Sequence, residues 1–164
     1  MFVINQETSV LYDALVDSGL TLGAGFGYYT QQNVGPISLW FETTPDKLEA
    51  AVRTAHALVA ELDAPTAFSD EQLEVAKILL EVSDISAREQ TSSFSHLLAF
   101  WWSSAGLDYY FGYLDNLRLV SRADTQRFVQ NYLEGKPLVL GVMLSAEDRA
   151  ALALDEATLK GWLQ

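Results

Sequence analysis

The chain has 164 residues, of which 49% are hydrophobic and 20% charged, a composition typical of one folded globular domain rather than of a disordered segment. The formal net charge of -12, without any cluster of Lys and Arg, argues against nucleic-acid binding, because phosphate backbones require concentrated positive charge. The absence of cysteine excludes disulfides, thiolate zinc sites and cysteine catalysis.

The chain begins with a predicted helix followed by a predicted β-hairpin. Apolar residues recur at helical spacing through ETSVLYDALVDSG, and Gly19 suits the C-terminal cap of this helix. Residues then alternate through LTLGAGFGYYT and ISLWFET, which predicts two antiparallel strands joined by the turn QQNVGP. One face of this hairpin is predicted to contact the helices, and its apolar residues are Leu22, Ala24, Phe26, Ile37, Leu39 and Phe41.

The middle of the chain is predicted to be helical. Thr44-Pro45 is a favourable helix start, and Ser69 caps the next helix. SSFSHLLAFWWSS and LDYYFGYLDNL predict two further helices separated at Gly106, and Ser121 begins another. LVLGVML, residues 138–144, is predicted to be a buried strand, and residues 145–164 a helical tail.

This order of elements predicts an α+β fold. We expect a two-layer sandwich in which a small, mostly antiparallel sheet carries helices packed on one face, within a single domain spanning residues 1–164. No apolar run approaches the roughly 18 residues of a transmembrane helix, so we expect no membrane insertion. The start MFVINQETS lacks the basic and long apolar regions of a signal peptide, and both a periplasmic and a cytoplasmic location stay open.

Neither histidine is predicted to bind zinc. An inverted zincin motif that began at His56 would need glutamate at position 59 and histidine at position 60, where the chain has Val59 and Ala60. The forward motif fails in the same way, and His96 has no second ligand at either spacing. The carboxylates are spread along exposed helix faces. We therefore predict no catalytic residue, no metal ligand and no cofactor in this chain.

The aromatic run FWWSSAGLDYYFGYL, residues 100–114, has two interpretations. A corner of the helical core is the more common explanation for such a run. The alternative is an interface, because the run carries more aromatic surface than a small domain can bury. The predicted interface residues are Trp101, Trp102, Tyr109 and Tyr110.

Several segments together resemble one domain of the M16 (insulinase/pitrilysin-like) zinc metallopeptidases. SVLYDALVDSGLTLGAGFGYY and ISLWFETTPDKLEAAVRTAHALVAEL are similar to the first helix, hairpin and long helix of that domain. SDEQLEVAKILL and the stretch from LDYYFGYL to LVLGVML resemble its later helices and final strand, so the likeness runs from about Ser9 to Leu144. The resemblance implies the LuxS/M16 metallohydrolase-like fold.

The resemblance also implies a role without catalysis. Active M16 domains carry a histidine-x-x-glutamate-histidine motif, and this chain resembles the inactive, C-terminal type that accompanies them. Some such domains supply an arginine and a tyrosine at the positions held here by Leu15 and Leu22, so that accessory role is not expected. The expected partners are a zinc-bearing catalytic domain, in the same protein or a second subunit, and a peptide substrate. The alternative is a structural scaffold subunit, as in respiratory-complex cores.

The family domain usually opens with a further strand, so the resemblance predicts a fragment of a longer protein. The resemblance also suggests a role for the second face of the hairpin, where three alternate glycines leave the strand backbone without side chains. A peptide or another domain's sheet would fit closely there, although a flexible strand, or one covered by Trp40, explains the glycines equally well. The predicted lining of this peptide chamber is Gly23, Gly25, Gly27, Ser38, Trp40 and Glu42.

Overall fold

The computed structural model describes residues 5–164, so only residues 1–4 of the predicted domain lie outside the described part. The first helix, α1, spans Val10–Tyr12 and continues as a π-helical turn over Asp13–Asp17. Ser9 caps it by accepting a hydrogen bond from the Tyr12 amide, which satisfies a donor that the helix leaves free. Gly19 follows with φ +73°, a conformation that glycine adopts without strain, and so confirms the predicted end of the helix.

The hairpin forms as predicted. Strand β1, Gly23–Tyr28, pairs antiparallel with β2, Ile37–Glu42, and Phe26 lies opposite Leu39. Ala24 and Phe26 are buried against the helices. In β2, Ile37, Leu39 and Phe41 pack on the same core. The residues between them point outward: Ser38, Trp40 and Glu42. The helices therefore cover one face of the sheet.

Leu22 departs from the prediction. Its side chain is 77% exposed and does not join the core. The cause is the neighbouring Thr21, which is buried because its backbone amide and hydroxyl both donate to the Leu15 carbonyl, at 2.8 and 3.0 Å. With Thr21 held inward, the next side chain turns out to solvent, and the inward alternation of the strand starts only at Ala24.

Helix α2, Leu48–Ala60, lies under the sheet after a 3-10 turn over Pro45–Lys47. Helix α3, Asp70–Glu89, begins at a capping box, in which the Ser69 hydroxyl accepts from the Gln72 amide and the Gln72 side chain accepts from the Ser69 amide. The start predicted at Ser69 is confirmed, because this reciprocal pair satisfies two backbone donors at once.

Shorter helices complete the helical layer. Helix α4 spans Thr91–Ser104, and Gly106, at φ +90°, separates it from the next helix as predicted. The predicted helix through LDYYFGYLDNL is divided at Gly112 into two pieces, and Ser121 caps the helix that follows them. These three helices are α5, Leu107–Phe111, α6, Tyr113–Leu119, and α7, Arg122–Tyr132.

The predicted third strand, residues 138–144, is not a strand of the sheet, which over residues 5–164 contains only β1 and β2. The segment has no regular secondary structure, although the exposure of its side chains alternates from residue 140 to residue 144, and no described segment pairs with its backbone. Val139 and Met143 are 98% and 95% exposed. The prediction of a buried strand is therefore wrong, because the sequence pattern could not show whether a partner strand lies beside the segment.

The tail after residue 144 is helical, as predicted, and consists of α8, Ala146–Ala151, and α9, Glu156–Trp162. Trp162 is buried beside Leu48 and Val52 of α2, and Leu140, Val142 and Leu144 pack against this cluster. The main core joins α1, the sheet, α2, α3 and α7. None of the described helices combines the length and apolar character that a membrane span requires.

Candidate functional site

Sequence analysis predicted that the face of the sheet without helices lines a peptide chamber. The Trp40 indole crosses from β2 and lies over Gly25, so that a β-carbon at Gly25 would come within 2.6 Å of Trp40 Nε1. Among residues 5–164, no atom lies within 4 Å of such a position at Gly23, and the nearest at Gly27 is Ser38 Oγ at 3.8 Å. Trp40 therefore explains one glycine of the three, and the other two leave open backbone on either side of a half-exposed indole.

The aromatic run forms a connected cluster around Trp101. Its ring lies 5.3 Å from both Phe100 and Tyr109 and 5.6 Å from Tyr113, measured between centroids. Trp102, on the next position of α4, points away from the cluster and is 74% exposed, and Tyr109 is half-exposed. The predicted exposure of aromatic surface is confirmed at these two residues.

Tyr110 is different, because its side chain is only 2% exposed and offers no surface to a partner. Arg88 stacks over its ring at 5.4 Å from the centroid, and Arg88 also forms an ion pair with Asp84 at 2.5 Å. Burial, and then the nearby Asp84 carboxylate, raise the pKa of Tyr110. Burial also raises the pKa of Tyr113. These phenols act as packing groups that stay neutral, so Tyr110 belongs to the interior rather than to the predicted interface.

A second apolar surface was missed by the sequence analysis, which followed only the buried side of α3. Leu73 and Ala76 face the core. On the opposite side, at spacings of three and four residues, the helix exposes apolar side chains that are 39% to 57% accessible: Val75, Ile78, Leu79, Val82 and Ile85. This arrangement is the outer α3 face. A helix that is apolar on both sides usually packs against something on each.

A cavity of about 600 Å³ lies at the side of the sheet, between β2 and the segment that follows α7. Its floor is α2, with Val52, Ala55, His56 and Val59. One wall is β2, and the other is residues 136–140. This cavity is called the edge slot below.

The histidines lie apart in the fold. His56 is on α2 at the edge slot, and His96 is exposed on α4. Among residues 5–164, no three His, Asp or Glu side chains are grouped closely enough to hold a metal ion.

The fold is shared with a solved peptidase domain. The crystal structure of the inactive peptidase domain of a "putative zinc protease" from Bordetella parapertussis superimposes with a TM-score of 0.72, over 88% of this chain and 81% of that one, at 20% sequence identity. No protein-family model and no curated protein matches the chain. The chain therefore has the fold of an inactive peptidase domain, as the resemblance in its sequence predicted.

Proposed function

We propose that this chain is a non-catalytic domain of an M16-type zinc metallopeptidase, which supports a separate zinc-bearing domain and lines the chamber in which the peptide is cleaved. The observation that carries the proposal is the likeness of its fold to an inactive peptidase domain. The open sheet face and the exposed apolar surfaces are the features through which the domain would act.

A supporting role requires a surface that holds a partner. The outer α3 face gives a continuous apolar stripe, and Trp102 gives an exposed indole on the neighbouring helix. Contiguous apolar surface of this kind generally marks a protein interface. The zinc-bearing domain is the partner that we assign to it, because M16 domains of the inactive type, which the sequence resembles, accompany such a domain.

A chamber-lining role requires room for an extended peptide. The sheet face has two open glycines, Gly23 and Gly27. On the neighbouring strand, Ser38 lies opposite Gly27 and offers a hydroxyl, and Trp40 lies opposite Gly25 and offers an apolar ring. A peptide that lay across this face would stack on the indole and approach the backbone at Gly23 and Gly27. The glycines are necessary because a larger side chain would occupy the space of the peptide.

The chamber role is tested in the assembled protein that contains this domain and its zinc-bearing partner. Gly27→Leu places a side chain in the open space, and Val34→Leu, at a turn position that is 77% exposed, is the matched control. We expect hydrolysis of a fluorogenic peptide to fall by about tenfold in Gly27→Leu, because an obstructed peptide loses binding energy of the order of a kilocalorie or more. Unchanged turnover in a folded Gly27→Leu assembly would reject the chamber role.

The supporting role has its own test. Ile78→Asp and Val82→Asp put charge on the outer α3 face without touching the core, and Val34→Asp is the control. Size-exclusion chromatography with light scattering should show that the charged α3 variants release the zinc-bearing domain while the control retains it. If the assembly persists in both variants, the outer α3 face is not the contact. An assembly that contains no zinc would indicate the alternative, a structural scaffold.

A further inference from the structure

We propose that the outer α3 face binds an amphipathic helix of the zinc-bearing domain, and that this helix carries a basic residue beyond each end of its apolar stripe. The inference rests on the proposed supporting role and deepens it, because it names the chemistry that the partner must present. It is carried by the spacing of the apolar residues on α3 and by two glutamates that close the ends of the stripe.

The stripe has the spacing of a helix-packing surface. Val75, Ile78, Val82 and Ile85 follow one another at intervals of three, four and three residues, and Leu79 widens the stripe on one side. This is the repeat with which one helix packs lengthwise along another. The stripe is about 15 Å long, at 1.5 Å per residue. Within residues 5–164 it stays exposed, so the complementary surface is an apolar stripe on a helix from outside the described chain.

A glutamate closes each end of the stripe. Glu71 lies four residues before Val75, and Glu89 lies four residues after Ile85, so both continue the same face of α3. Both residues are exposed. Neither carboxylate forms an ion pair or a side-chain hydrogen bond with any residue in the range 5–164. A helix that packed on the stripe would therefore meet an unpaired negative charge at each end.

The helix itself gives no reason for a carboxylate at its C-terminal end. The helix dipole stabilises acidic residues in the first turn and opposes them in the last, where Glu89 lies. The two basic residues of α3 are engaged by other acids, because Lys77 pairs with Glu74 at 2.8 Å and Arg88 pairs with Asp84 at 2.5 Å. A cation on the bound helix would supply the partner that Glu89 lacks.

The same charges make a second copy of the chain a poor partner. Antiparallel pairing that sets Val75 against the second copy's Ile85 also sets Glu71 against the second copy's Glu89, at both ends of the contact. Parallel pairing sets each glutamate against its own counterpart. Like charges at these positions repel, and the net charge of -12 opposes association of two copies from a distance. A partner with basic residues at both ends of its stripe has neither disadvantage.

The test measures binding of labelled peptides to the full chain by fluorescence anisotropy. The probe acetyl-AKAQALAQLAQALQALAQAKA-amide has leucines at the spacing of the stripe and a lysine four residues beyond each end. The control acetyl-AQAKALAQLAQALQALAKAQA-amide has the same composition, with its lysines on the opposite side of the helix. We expect the probe to bind about tenfold more tightly at low salt, as two exposed ion pairs allow. In 1 M salt, where charges are screened beyond about 3 Å, the two peptides should bind alike.

Paired variants show whether the two glutamates cause the preference. Glu71→Gln with Glu89→Gln should abolish it. Glu134→Gln with Glu147→Gln, which removes two exposed glutamates elsewhere with the same change of net charge, should retain it. Glu71→Lys with Glu89→Lys should reverse it, so that acetyl-AEAQALAQLAQALQALAQAEA-amide binds about tenfold more tightly than the lysine probe.

Several results would overturn the inference: equal binding of the probe and the control at low salt, equal effects of the two glutamine pairs, or no binding of the probe at millimolar concentration. A dimer of the chain that Ile78→Asp dissociates would also overturn it, because the face would then belong to a second copy. These results concern the chain alone and leave the proposed function standing. Failure of the supporting role is seen separately, as an assembly with the zinc-bearing domain that Ile78→Asp leaves intact.

Discussion

The contact between Trp40 and Gly25 makes a sharp prediction, because two other glycines on the same strand provide controls. A methyl group at Gly25 would meet the indole at 2.6 Å, so Gly25→Ala must displace the ring. Trp40 is 55% exposed and can move outward, at the cost of the surface that it now covers. A fully buried aromatic ring covers 150–250 Å², so roughly 100 Å² is lost here, equivalent to about 2.5 kcal/mol at 25 cal/mol per Å².

The replacement of glycine by alanine in a strand stabilises the fold by about 0.5–1 kcal/mol, because alanine loses less backbone entropy on folding. We therefore expect Gly25→Ala to lower the free energy of unfolding by about 1.5–2 kcal/mol. Gly27→Ala, where the nearest atom is 3.8 Å away, should raise it by about 0.5 kcal/mol. Urea denaturation followed by circular dichroism measures both values without relying on tryptophan fluorescence.

The double variant shows whether the indole is the cause. In a Trp40→Ala background the Gly25→Ala substitution should become neutral or stabilising, as it is at Gly27, which gives a coupling energy of about 2 kcal/mol. If Gly25→Ala and Gly27→Ala have the same stability, or if the penalty persists without the indole, the packing described for this face is wrong.

Three further predictions concern stability. Leu15→Ala, at a side chain with no exposed surface, should lower the free energy of unfolding by about 3 kcal/mol, measured by urea denaturation; a loss below 1 kcal/mol would contradict the assigned core. Hydrogen bonds from the Ser121 hydroxyl and amide, together with a neighbouring arginine, lower the pKa of Asp124 from 3.8 to about 2. The stabilisation that the Asp124 carboxylate gives to the fold is therefore complete above about pH 4 and is lost as the pH falls toward 2. Asp124→Asn should flatten the pH profile of thermal unfolding in that window, and an unchanged profile would refute the cap. Burial raises the pKa of Tyr110, so stability should decline once the pH exceeds about 10, the value for the unfolded chain, and Tyr110→Phe should reduce that decline in alkaline denaturation.

The features that sequence predicted well are those with local causes. The starts at Ser69 and Ser121 follow from side chains that bond amides three residues on, and the turns at Gly19 and Gly106 follow from a backbone conformation that glycine favours. The alternation of apolar residues in β2 likewise placed its inner face correctly. Each of these needs information from only a few neighbouring residues.

The features that sequence missed depend on partners distant in the chain. The inward turn of Thr21 depends on the Leu15 carbonyl, which the strand pattern alone does not reveal, so Leu22 was assigned to the wrong environment. The segment 138–144 has the pattern of a strand and lacks a described neighbour to pair with. Tyr110 and Trp102 carry equally aromatic side chains, and only the helix orientations decide that one is buried and the other exposed.

The central claim is that this domain has no zinc chemistry of its own and serves a zinc-bearing partner. The most direct measurement isolates the native assembly that contains this chain, and records its zinc content and its hydrolysis of a fluorogenic peptide before and after chelation. We predict chelator-sensitive hydrolysis by the assembly. When the Ile78→Asp variant separates the two domains, zinc should remain with the zinc-bearing domain and hydrolysis should fall, because this domain no longer lines the chamber, while the released chain holds no zinc and cleaves nothing. One tightly bound zinc ion on the released chain, or hydrolysis by that chain alone, would contradict the account.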